Sequence, residues 1–198
     1  MAYIFQTLAN KGSTAGVTQN FSKESISWFR QNAANIQSVN AQRMMTDKNN
    51  STKIVTPRDI GKMFMYFYDP KFKEVLPYYD KFPLIFLVNV DSQGFDGINL
   101  HYISPQLRAR LMDSLYSLLN NTKYDNTTKL KISYQLLNNA SKFKYFAPCY
   151  KRYLFSHVQS NFINVPVTNW DMAVMLPTER FAKANKSKVF KESLSTVG

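Results

Sequence analysis

A single cysteine, Cys149, stands in 198 residues, so no intrachain disulfide framework can form and stability must come from the core and from partners. That usage fits a reducing compartment. Histidine is equally scarce: His101 and His157 are the only two, and with Cys149 they lie too far apart in sequence to give the locally paired ligands that zinc uses. No metal and no other cofactor is expected. The six glycines are scattered, with neither GxxxxGK[ST] nor a strand-linked GxGxxG, which disfavours nucleotide hydrolysis. No window reaches the roughly 18 apolar residues of a membrane span. The start "MAYIFQTLANKGSTAG" lacks the basic opening and sustained apolar run of a secretory signal. A soluble, unexported chain with no membrane and no small-molecule partner is expected.

Acid is also in short supply. Against 25 Lys plus Arg there are 13 Asp plus Glu, a formal net charge of +12. An anionic partner follows, nucleic acid first and an acidic protein surface otherwise. What the chain has in quantity is apolar surface, 44% hydrophobic and 15% aromatic residues, enough to offset the chain entropy of folding.

The length suits one compact domain with arms. Residues 1–21, rich in Gly, Ser, Thr, Asn and Gln, read as an N-terminal arm, residues 22–178 as a single α+β domain, and residues 179–198 as a basic C-terminal arm or short helix carrying Arg180, Lys183, Lys186, Lys188 and Lys191. Within the domain, Ile26, Phe29, Ala33 and Ile36 recur at helical spacing behind Ser22 and Ser25, predicting a helix over about 24–38, and Thr46 to Thr52 reads as a loop. "KMFMYFYD" sets Met63, Met65 and Phe67 against Phe64, Tyr66 and Tyr68, a strand with two apolar faces, each to be covered by the fold or by a partner. "LIFLVNV", the turn "DSQG" and "FDGINLHYI", bulged at Gly97, complete a small antiparallel sheet over about residues 62–103.

From Ser104 the period becomes helical. Pro105 starts a helix with Leu107, Leu111, Leu115 and Leu118 on one stripe, Thr127 or Thr128 caps a second with Leu130, Tyr134 and Leu137, and Pro148 opens a third through Tyr150, Tyr153, Leu154 and Val158. Thr168 and Asp171 form a capping-box pattern before an apolar run that Pro177 ends. The expected architecture is α+β: the small sheet packed with a C-terminal helical bundle, with extended arms at both ends.

Candidate chemistry is thin. Cys149 and His157 sit two turns apart on the expected helix, beyond hydrogen-bond reach of each other. Asp69, Glu74, Asp80, Asp91 and Asp96 cluster around the strands as nuclease carboxylates can, yet Asp69 precedes proline, Asp91 opens a turn and Asp96 neighbours Gly97, which is turn chemistry. The stretch "LPYYDKFP" reads as a stiffened structural corner, its Asp80 without a partner acid or metal ligand nearby in sequence. The densest signal runs from Lys123 to Arg152, seven basic residues and one acid interleaved with aromatics. That mixture can neutralise phosphates and stack on bases, or can equally be core aromatics beneath a solvated lysine face. The residues singled out are Lys142, Lys144, Lys151 and Arg152 for nucleic acid, and Tyr66, Tyr68, Tyr78, Tyr79 and Phe82 for a protein interface.

The runs "YDPKFKEVLPYYDKFP", "GFDGINLHYISP" and "NWDMAVMLPTERF" resemble a family of small virion proteins from T-even-type contractile-tailed phages and their marine relatives, over about residues 60–185. The resemblance implies a component of the neck, tail or baseplate, or a DNA end protector guarding genome termini, and it supplies no catalytic residues. Asp96 departs from it, standing where an apolar or small residue is expected. The leading expectation is therefore a non-enzymatic virion subunit at the tail, baseplate or head–tail junction, assembled in the host cytoplasm with other phage proteins. The alternative is a protein that binds double-stranded DNA and protects its ends. A magnesium-dependent nuclease is a weaker third reading.

Overall fold

The computed structural model describes residues 48–104, 147–166, 170–175 and 178–195, with Leu107, Arg108, Leu111, Met112 and Gln135. Among the described residues eight strands carry the fold: β1 (Ser51–Thr52), β2 (Met63–Met65), β3 (Tyr79–Asp80), β4 (Leu84–Val90), β5 (Gly94–Asn99), β6 (Tyr150–Leu154), β7 (Phe162–Val165) and β8 (Phe181–Ala182). Two helices follow the later strands, α1 (Trp170–Met175) and α2 (Lys186–Ser195). Six strands form one sheet in the order β1-β7-β2-β4-β5-β6, and β3 and β8 form a second, two-stranded one. Every pairing is antiparallel.

The two-faced pattern of β2 and β4 explains why the main sheet is buried on both sides. Successive side chains point to opposite faces of a strand. Met63, Met65, Leu84, Phe86 and Val88 enter one core with Leu100, Trp170, Val174 and Val189. Phe64, Tyr66, Ile85 and Leu87 enter the other with Phe95, Tyr153 and Phe162. Each fully buried side chain of this size contributes about 1.5–3 kcal/mol. Both faces are thus covered within the fold. The second core is mostly aromatic, with Tyr66 at its centre, its ring 5.0 Å from Phe162, 5.4 Å from Phe95 and 5.5 Å from Tyr153.

The "DSQG" turn forms as expected. Asp91 accepts hydrogen bonds from the backbone N–H groups of Gln93 (2.8 Å) and Gly94 (3.0 Å), and its own N–H donates to the Gly94 carbonyl. Gly94 then approaches β6 so closely that a Cβ would sit 2.0 Å from the Tyr153 carbonyl oxygen. Gly94→Ala must push β5 and β6 apart and is expected to cost about 1–3 kcal/mol, read as a fall in the chemical-denaturation midpoint at unchanged slope.

The expected architecture needs correction. The sheet is not confined to residues 62–103: β1, β6 and β7 extend it from outside that segment. Among the described residues there is no C-terminal helical bundle, because the run read as a helix from Pro148 is strand β6, a 3-10 turn at Phe155–His157 and strand β7. Lys151 and Arg152 interrupt its apolar pattern and imitate a helical stripe, whereas cross-strand pairing to Asp96 and Gly97 holds the backbone extended. The loop expected at Thr46 to Thr52 contains β1, which pairs with β7. The irregularity expected at Gly97 falls across from it on β4, between Leu87 and Asn89. The third strand stops at Asn99, whose side chain accepts from the His101 N–H and turns the chain into a 3-10 turn at Leu100–Tyr102.

The segment after Thr178 is not an extended arm. It contributes β8 to the small sheet and then α2, which buries Val189 completely and Ser193 almost so. The N-terminal arm, the helix expected over 24–38, the helix expected from Thr127 apart from Gln135, which is helical, and the Leu115 and Leu118 end of the leucine stripe lie outside the described residues. Leu107, Leu111 and their neighbours Arg108 and Met112 are helical.

Candidate nucleic-acid interface

Of the four basic residues singled out, Lys142 and Lys144 lie outside the described residues, while Lys151 and Arg152 are adjacent on β6, the edge strand of the main sheet. Adjacent strand residues face opposite ways, and these two have different surroundings. Lys151 is half-buried with its Nζ 4.3 Å from the centre of the Tyr102 ring, and burial lowers its pKa. Arg152 pairs with Asp91 at 2.7 Å and with Asp96 at 3.5 Å. The Arg152 hydrogen bond holds the Asp91 carboxyl down at about 2. Asp96 is thus an ion-pair partner across the sheet.

The five aromatic candidates divide. Tyr66, Tyr68 and Phe82 are buried, so their contacts lie within the chain. Tyr68 offers no free surface: its hydroxyl accepts from the Leu154 N–H at 3.1 Å. Tyr78 and Tyr79 are half-exposed. Tyr78 packs against Tyr102 and Phe181, and Tyr79 is paired with Ala182 of β8.

The corner that contains them is organised by Asp80, which has many partners distant in sequence. One carboxylate oxygen accepts from His101 Nδ1 at 2.6 Å and Asn99 Nδ2 at 3.2 Å, and the other from the N–H groups of Phe82 at 3.0 Å and Arg180 at 3.3 Å. Burial opposes the charge, but these donors, His101 foremost, hold the Asp80 carboxyl below the usual carboxylate range. An ionised carboxylate only accepts, so His101 carries a proton on Nδ1, leaving Nε2 against the Thr178 hydroxyl at 3.1 Å. The order carboxylate, imidazole, hydroxyl is that of an acyl-transfer triad. Here, though, the His101 and Asp80 side chains are 0% and 1% exposed, and the array acts as a lock between β3, β5 and the C-terminal segment.

A second buried ion pair stands beside it. Arg108 donates to the carbonyls of Ile103 and Val174 and, at 2.8 Å, to Glu179. Burial raises and Arg108 lowers the Glu179 pKa, with a net downward shift. Cys149, by contrast, is pushed up to about 12 by burial and is no nucleophile. It and His157 sit beyond opposite ends of strand β6, not on one helix. Among the described residues no group of three His, Cys, Asp or Glu could hold a metal ion.

Outside this lock lies an exposed feature to which no sequence pattern pointed. Between Pro70 and Leu76 the chain makes a tight turn, closed by Lys73 N–H to Pro70 O (3.2 Å) and Leu76 N–H to Phe72 O (3.1 Å). It presents Phe72, 63% exposed, and Val75, 80% exposed. Lys183 underpins the turn: its Nζ donates to the carbonyls of Lys73 (2.6 Å), Glu74 (2.8 Å) and Leu76 (3.3 Å). Lys183 adopts a left-handed backbone, φ 65°, which costs of order 1–3 kcal/mol and is offset by those charge-assisted bonds. Nearby, Arg180 packs over Phe67 and Phe82, linked to the corner by Lys81 N–H to the Arg180 carbonyl at 2.9 Å.

Fold and surface together define a strongly basic protein, mainly antiparallel sheet among the described residues, whose buried ion pairs are engaged internally and whose braced apolar tip is exposed. A family model described as Phage T4 terminal DNA protecting protein matches residues 7–195, and the chain belongs to that family. None of the curated proteins and none of the solved structures compared with it matches. The membership agrees with the resemblance to T-even-type phage proteins. It favours the end-protection alternative over the expected tail or baseplate subunit.

Proposed function

We propose that the protein binds the ends of double-stranded phage DNA and shields them from exonucleases, acting stoichiometrically and without catalysis. The observation that carries this reading is the family match over residues 7–195. The net charge of +12 agrees with it, since a cationic surface gains affinity by releasing counterions from the phosphate backbone. Attachment to packaged or injected DNA would bring it to the virion and to the infected-cell cytoplasm. In this reading Lys142 and Lys144 contact phosphates, while Arg152 remains committed to Asp91 and Asp96.

The direct test is digestion of a linear duplex by a processive exonuclease. Saturating protein should preserve full-length DNA, and digestion at the unprotected rate would remove the proposal. The residue assignment has its own readout. Alanine at Lys142 and Lys144 should flatten the plot of log Kobs against log[salt] by about 0.9 for each phosphate that is no longer neutralised. Arg152→Ala should leave that slope unchanged.

A further inference from the structure

A duplex end differs from the rest of the duplex in one physical respect: the terminal base pair exposes a flat, apolar π-face that elsewhere is covered by the next pair. A protein that recognises ends through this face needs an exposed aromatic side chain on a rigid support, with cations around it for the flanking phosphates. The Pro70–Leu76 turn has these properties. Phe72 and Val75, three residues apart, are both exposed, and Lys71 Nζ stands 5.4 Å from the centre of the Phe72 ring.

The support is preorganised. Lys183 ties the turn to the strand β8 side of the corner through three carbonyls, and Lys73 pairs with Asp69 at 2.9 Å. A solvent-exposed phenyl ring on a fixed turn adds little to the stability of the chain, whereas a ligand that stacks on it avoids the entropy of ordering a loose loop. The charge is complementary as well. Lys71 within the turn, and Lys81 and Arg180, joined backbone to backbone at the corner that follows it, are exposed and make no ion pair among the described residues, while the acids of the segment are Glu74 and the already paired Asp69.

We propose that this turn is the end-capping element: Phe72 stacks on the terminal base pair, Val75 covers the adjoining base edge, and Lys71, Lys81 and Arg180 neutralise the phosphates nearest the terminus. This rests on the end-binding reading above, and the experiment separates the two. Affinity of the full chain is measured for a blunt linear duplex and for a covalently closed circle of the same length and sequence, at one salt concentration.

The wild type binds the linear form more tightly. Phe72→Ala reduces linear-duplex affinity by roughly 5- to 150-fold, the range for one stacked base. It leaves circle affinity unchanged, and Phe72→Trp restores end preference. Because Phe72 is 63% exposed, the alanine variant keeps the wild-type melting temperature, which is checked in parallel. If Phe72→Ala keeps full end preference, or loses affinity equally for both DNAs, the capping role is overturned while end binding stands. If the wild type shows no preference for the linear form, the end-binding reading itself fails.

Discussion

Replacing Asp80 by alanine is expected to remove about 3–5 kcal/mol of folding free energy, the usual cost of breaking a buried charged pair by deleting one partner. The deletion strands four donors at once: the His101 ring, the Asn99 amide and the N–H groups of Phe82 and Arg180. Against a typical total of about 5–15 kcal/mol this is about a fifth or more, visible as a large loss of denaturation midpoint. Asp80→Asn, which keeps the shape and one acceptor oxygen, should cost less. If the alanine and asparagine variants melt with the wild type, the lock holds nothing together. The same carboxylate predicts acid sensitivity. The folded-state pKa values of Asp80 and Glu179 are both depressed below their ordinary 3.8 and 4.5. Their contribution is fully present above those ordinary values and is lost as pH falls through the lower folded ones. Stability measured from pH 6 downward should therefore begin to fall near the ordinary carboxylate range and continue falling below it.

Arg108→Ala should be comparably damaging, about 3–5 kcal/mol, because it leaves the Glu179 carboxylate buried without its main counter-charge. Among the described residues Lys186 Nζ, 3.8 Å from the other Glu179 oxygen, is the ion-pair partner left. The carbonyls of Ile103 and Val174 would also lose their donor. A double-mutant cycle with Glu179→Gln discriminates the cause. Neutralising Glu179 in the Arg108→Ala background should recover a share of that stability, whereas additive effects would show that Arg108 acts by packing alone.

The central portion of the fold is legible in the sequence because its signals are local. "LIFLVNV", "DSQG" and the residues that follow announce β4, the turn and β5 in one short run. Strands β6 and β7 are not legible. The positions that would display alternation in β6 hold Lys151 and Arg152, whose placement depends on Tyr102, Asp91 and Asp96, all distant in sequence. Helix α2 is legible only as one of two readings, arm or short helix: Lys186, Lys188 and Lys191 dominate the segment, while burial rests on Val189 and Ser193. At the corner, Asp80 reads from the sequence as structural yet partnerless, because His101 is 21 residues away and Arg180 is 100. Phe72 stands out only as one residue of a family-like run, since apolar character says nothing about exposure.

The small β3–β8 sheet bears on when this protein becomes competent. Its partners, Tyr79 with Ala182 and Asp80 with Phe181, are joined across more than half the chain, and Val189 must enter the core after them. A ribosome delivers residues in order, at about 5–20 per second. Strands β2, β4 and β5 can pair early, but β3, the Asp80 corner and the Lys183 brace beneath the Phe72 turn cannot close until the segment from Arg180 onward has emerged. A half-made chain would hold its hairpin without its rigid tip. The braced turn would therefore form late and in one step, once the segment from Arg180 to Val189 has joined the Asp80 corner.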